Sequence, residues 1–124
     1  MIKFLRLVTG NLLNANDVKT IVKTVQLNRT HDDGGKRGIK AAIEIQTTVG
    51  RCTFIDVFAY APMKEGESWS YGTEGGCRAV RNIEDILDTM ITLLVDKMND
   101  EDEKIISIGT SFLEEAMQEE VERG

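Results

Sequence analysis

A chain of 124 residues carrying 15 basic and 21 acidic side chains, net charge −6, fits one domain large enough to bury a core without disulfide or metal staples. The acidic balance excludes general affinity for duplex nucleic acid, whose phosphates reward clustered cations, and no apolar run approaches the roughly 20 residues of a transmembrane helix. Two cysteines, Cys52 and Cys77, do not make a secreted disulfide framework, although they are free to pair with each other.

The opening "MIKFLRLVTG" is broken by Lys3 and Arg6 and lacks a small-residue cleavage site, so it reads as a strand and not a signal peptide, which points to the cytoplasm. In "DVKTIVKTVQLNRT", Val18, Ile21, Val22 and Val25 fall at helical spacing, with Asn16 or Asp17 as a cap. The dominance of Val, Ile and Thr, and the turn cluster "HDDGGKRG" that follows, favour a strand instead.

"GIKAAIEIQTT" alternates: Ile39, Ala41, Ile43, Ile45 and Thr47 share one face, Lys40, Ala42, Glu44, Gln46 and Thr48 the other. Val49 and Gly50 reverse the chain into "RCTFIDVFAYA". There Thr53, Ile55, Val57, Ala59 and Ala61 oppose Cys52, Phe54, Asp56, Phe58 and Tyr60. Both faces are substantially apolar, so helices are expected to cover one and a second subunit the other. With "IKFLRLV" in front, the N-terminal half becomes an antiparallel meander of about four strands.

Beyond the glycine-punctuated segment "GESWSYGTEGGCRAVRN" the period changes. Val80, Ile83, Leu87, Met90, Leu94 and Met98 recur at three and four residues, widened by Ile86, Ile91, Leu93 and Val95, which predicts an amphipathic helix of about five or six turns. "NDEDE" interrupts it and caps a second helix with an apolar face of Ile105, Ile108, Phe112, Ala116 and Met117, weakened at Gly109. Strands first and helices last make an α+β fold: a single domain over 1–124, mainly β over 1–71 and mainly α over 77–122.

The chemistry-bearing residues are few. His31, the only histidine, and Cys77 would form a nucleophile and base pair only if the fold brought them together, and the plainer reading is a solvated turn histidine and a small buried thiol. "HDD" offers metal-ligating types, but three adjacent loop residues rarely all point at one ion. Neither a metal, a cofactor nor catalysis is expected.

"GTEGGCR" lacks the Lys-Ser/Thr of a phosphate loop and the βαβ setting of a dinucleotide fingerprint. Gly75 and Gly76 nonetheless let backbone amides converge at a helix start, whose N–H groups and dipole attract an anion. Arg78 and Arg81, one turn apart, can fork onto phosphate oxygens. Trp69 and Tyr71 alternate in "SWSY", so on an extended backbone both rings project to one side as a stacking platform for a base. The plainer alternative closes the core with the aromatics, turns the chain with the glycines and lays the arginines over the helix.

The order of elements, together with "ESWSYGTEGGCRAVRN" and the long amphipathic helix after it, resembles the phage Thoeris anti-defence sponge proteins. That resemblance implies a cytoplasmic homo-oligomer, in the host cytoplasm if viral, that sequesters a cyclic ADP-ribose-like or cyclic nucleotide immune signal without turning it over. A different expectation comes from "NDEDE" and "EEAMQEEVE": a protein-binding inhibitor whose carboxylates occupy a basic site on a host nucleic-acid-binding or defence protein. A third is a structural or assembly protein whose two-sided sheet mediates self-association without a small-molecule ligand.

Overall fold

The computed structural model describes residues 2–30, 37–60 and 74–123, of which 27–30, 37, 60, 74–77 and 121–123 are described as backbone only. Among the described residues six strands and two α-helices form an α+β arrangement: β1 (Phe4–Arg6), β2 (Leu12–Asn14), β3 (Thr20–Thr30), β4 (Arg37–Thr47), β5 (Gly50–Tyr60), α1 (Glu74–Asn99), β6 (Ile105–Ile106) and α2 (Ser111–Arg123).

The three long strands pair in the order β3-β4-β5, antiparallel throughout. The expected alternation of β4 holds: Ile39, Ala41, Ile43 and Ile45 are all fully buried. Pairing sets Ile21, Lys23 and Val25 of β3 beside Ile45, Ile43 and Ala41 on that same face. α1 lies over β3 and β4, α2 over β5 and β4, and the two helices touch each other. Gly38 faces the backbone of β5 so closely that an added Cβ would run into the Ala59 carbonyl oxygen and the Phe58 ring, so only glycine fits there.

Strict alternation fails in β5. Ile43 pairs with Ile55 but Glu44 pairs with Thr53, which leaves Phe54 as the extra residue of a β-bulge. The slip carries Cys52 opposite Ile45 and onto the core side, away from the face that period-2 counting assigns it. The reversal is made by Thr48 and Val49, with Gly50 already in the strand at φ 143, a value that favours glycine. The Thr47 hydroxyl ties the turn by donating to the Gly50 carbonyl at 2.9 Å.

The N-terminal strand does not extend the meander. β1 pairs antiparallel with β2 through a turn at Gly10 (φ 89) and parallel with β6, forming a separate mixed sheet in the order β2-β1-β6. Leu5 and Ile106 from this sheet are fully buried in the common core. The turn also reaches the main sheet, since the Val8 amide donates to the Thr53 carbonyl, at the β5 bulge, at 3.2 Å.

Both helices differ from the expected patterns in detail. α1 runs 26 residues and buries Ala79, Ile83, Leu87, Met90 and Leu94, whereas Leu93 and Val95 face outward. The second helix begins only at Ser111, because the β-branched pair Ile105–Ile106 is drawn into the sheet beside β1 and Gly109 lies before the helix start. Its inward stripe is Leu113, Met117 and Glu120, while Phe112, expected on the buried face, is 65% exposed.

Candidate functional site

Of the site residues singled out in the sequence, Gly75, Gly76, Arg78 and Arg81 lie in the first turns of α1. Helix formation begins at Glu74, so Gly75 and Gly76 lie within the first turn, where backbone N–H groups have no intrahelical acceptor. Arg78 follows at the start of the second turn and Arg81 three residues on, half-buried and exposed respectively. Trp69 and Tyr71 lie outside the described residues, as do His31, Asp32 and Asp33; for Cys77 the backbone alone is described.

The guanidinium of Arg78 points to α2. Its Nε stands 3.8 Å from Oε2 of Glu120, an ion pair beyond hydrogen-bond reach, with the arginine side chain 42% exposed and the glutamate 9%. Nε and Nη2 of Arg78 are buried and make no hydrogen bond. A cation near a helix N-terminus faces the positive end of the helix dipole, at a cost of about 0.3–1 kcal/mol. The Glu120 carboxylate offsets this, and the guanidinium in turn makes a nearly buried carboxylate tolerable.

Glu120 was not among the sequence-derived site residues, because it lies in an acidic run that reads as a solvated helix face. A signal was present: Glu120 follows Leu113 and Met117 at seven and three residues, the spacing of one buried stripe.

Elsewhere the described residues offer little reactive chemistry. No group of three or more His, Cys, Asp or Glu able to hold a metal occurs among them. Cys52 is a free thiol that donates to the Ile45 carbonyl at 3.6 Å. Burial pushes its pKa up, which keeps it protonated and a poor nucleophile at neutral pH. No helix among the described residues is long and apolar enough to cross a membrane.

A second surface feature lies on α2. Phe112, Glu115, Ala116, Gln118 and Glu119 line an open depression of about 510 Å³. No family model, curated protein or solved structure matches this chain.

Proposed function

We propose that the protein binds an anionic, nucleotide-derived ligand at the N-terminal end of α1 and sequesters it without chemical conversion. The observation that carries this reading is Arg78: two buried guanidinium nitrogens without a hydrogen bond, on a helix whose first turn holds Gly75 and Gly76. Leaving such donors unmet costs about 1–3 kcal/mol per group, which a phosphate oxygen would relieve through charge-assisted bonds. Arg81, on the same helix, adds positive potential. Trp69 and Tyr71 are assigned the base-stacking role.

The ligand class follows from the resemblance to the Thoeris anti-defence sponges: a cyclic ADP-ribose-like or cyclic nucleotide signal, held by a homo-oligomeric phage protein in the host cytoplasm. Self-association is assigned to the outer face of the β3-β4-β5 sheet, where Ala42 is buried and Val22, Thr24 and Phe58 are half-buried. The test is to expose purified protein to cell extract, denature it and identify the released molecule by mass spectrometry. An intact nucleotide that also raises the melting temperature supports sequestration. Release of a chemically altered product, or of no nucleotide, refutes it.

A second reading is favoured by the depression on α2, where exposed Phe112 stands beside Glu115 and Glu119. An apolar contact flanked by carboxylates suits a basic partner protein, in line with an acidic inhibitor. Charge-neutralising E115Q/E119Q should abolish capture of a basic host protein on that reading and leave nucleotide binding intact on the first.

A further inference from the structure

The small sheet β2-β1-β6 buries one face and leaves the other open. Leu5 and Ile106 are fully buried in the core, and Leu13 pairs with Leu5 on that side. The alternate residues face away from it: Phe4 lies between Asn14 and Ile105, and Arg6 lies beside Leu12. Leu12 is 47% exposed, Ile105 45%, and Ile2, two residues before Phe4, 62%. Single exposed apolar residues are ordinary, but a group gathered on one sheet face marks a contact. The charges around it are ordered along the strands. β1 and β6 run parallel, so the loop leading into β6 lies at the end where β1 begins, tied there by the Phe4 amide donating to the Lys104 carbonyl at 2.9 Å and by Lys3 Nζ donating to the Asp100 carbonyl. That loop sets exposed Asp100, Glu101 and Asp102 against Lys104, while Glu103 is paired with Lys97. At the opposite end stands Arg6, exposed and without an ion pair among the described residues.

We infer that the open face of this sheet is an interface with a second copy of the chain, packed face to face about a two-fold axis that crosses the strands at the level of Phe4 and Ile105. Such an axis reverses the strand direction, so apolar centre meets apolar centre and Arg6 of each copy meets the acidic loop of the other. An axis along the strands would instead set Arg6 against Arg6 and carboxylates against carboxylates, which repel. One strip with an acidic end, an apolar middle and a basic end carries both halves of the pairing. That self-complementarity is what an isologous contact requires and a foreign partner does not. The contact is distinct from the outer face of β3-β4-β5, and it needs no ligand at the other end of α1.

The experiment is sedimentation equilibrium of the full chain over a range of concentrations, with amide hydrogen exchange followed across 4–14. Ile105→Asp puts a charge in the apolar middle and should weaken self-association about a hundredfold. Arg6→Glu, at a fully exposed position, should weaken it about tenfold. Reversing both ends together, in R6E/E101K/D102K, should return the affinity to within about threefold of the unmodified protein. In the unmodified protein, exchange in β1 and β2 should slow as concentration rises, a readout that does not depend on any variant folding. Self-association untouched by I105D and R6E, or exchange in β1 and β2 independent of concentration, overturns this interface and leaves the outer face of the main sheet as the place of self-association. A triple variant no better than R6E overturns the inverted pairing. A monomer at every concentration, including one that docks on anionic lipid vesicles through Leu12 and Ile105, overturns the pairing and the homo-oligomer proposed above, and leaves anion binding standing.

Discussion

At the C-terminal end of α1, Lys3 donates from Nζ to the Met98 carbonyl at 2.6 Å and also to the Asp100 carbonyl, and Lys97 reaches Glu103 at 3.3 Å. At the N-terminal end, two glycines occupy the first turn, and the Glu120 carboxylate paired with Arg78 stands 3.8 Å away. One end receives the cations that its carbonyls and dipole favour, including one supplied from the other end of the chain. The other carries a cation where the dipole disfavours it, with Nε and Nη2 of Arg78 making no hydrogen bond among the described residues. Carbonyls held by a lysine at one helix end, and two guanidinium nitrogens without a hydrogen bond at the other, set the two ends apart.

A substitution between the two ends gives the largest expected effect and tests whether they melt together. Leu87→Ala, in the fully buried stripe, should cost about 2–5 kcal/mol in urea unfolding. Coincident transitions reported from both ends establish one cooperative unit, and separate transitions would break the comparison by making the ends independent.

Next in size is Lys3→Met, which keeps the apolar stem and removes the donor. It should cost about 1–2 kcal/mol through lost charge-assisted hydrogen bonds and raise amide exchange near 97–100, with no change in ADP-ribose affinity. A loss of affinity equal to that of R78A would show that the two ends are not functionally distinct.

The Arg78–Glu120 pair should be weaker than the Lys3 cap. A double-mutant cycle with R78A and E120Q is expected to give a coupling below about 1 kcal/mol, since the arginine is part-exposed and the pair lacks a hydrogen bond. A coupling of about 2 kcal/mol would mean that the N-terminal end is fastened as firmly as the other.

The smallest effect lies midway along the helix, where Lys23 of β3 donates to both carboxylate oxygens of Asp88 at 2.7 and 2.8 Å. The hydrogen bond to Asp88, aided by its charge, raises the Lys23 pKa. A raised folded-state value means that this contribution is fully present below the ordinary lysine pKa, near 10.4, and is lost as pH rises through the folded value. The difference in urea midpoint between unmodified protein and Asp88→Asn should therefore persist at neutral pH and vanish in strong alkali. A difference that grew with pH would contradict the pairing.

The main sheet was legible where register is constant. In β4 the inward set from Ile39 to Ile45 follows directly from alternation, because each step of an extended chain reverses the side chain. Cys52 was misplaced because one extra residue, Phe54, reverses the count, and no local pattern marks a bulge. β1 and β6 were not legible as partners: strands of three and two residues have no period, and about a hundred residues separate them in sequence. Ile105 and Ile108 were read into a helix whose stripe actually begins beyond Gly109. At the candidate site, the glycines and arginines could be read from their place before an amphipathic run, whereas the approach of Glu120 depends on how α2 is laid over β5.

By itself the sequence determined the α+β class, the inward face of β4, the strand identity of β3 and the main span of α1, because each rests on local preference and hydrophobic period. Tertiary structure alone decided that β1 leaves the meander to lie parallel with β6, that Lys3 caps the far end of α1, and that Glu120 confronts Arg78. These are contacts between segments distant in sequence. They are set by how the buried faces of sheet and helices fit one another, which no single segment encodes.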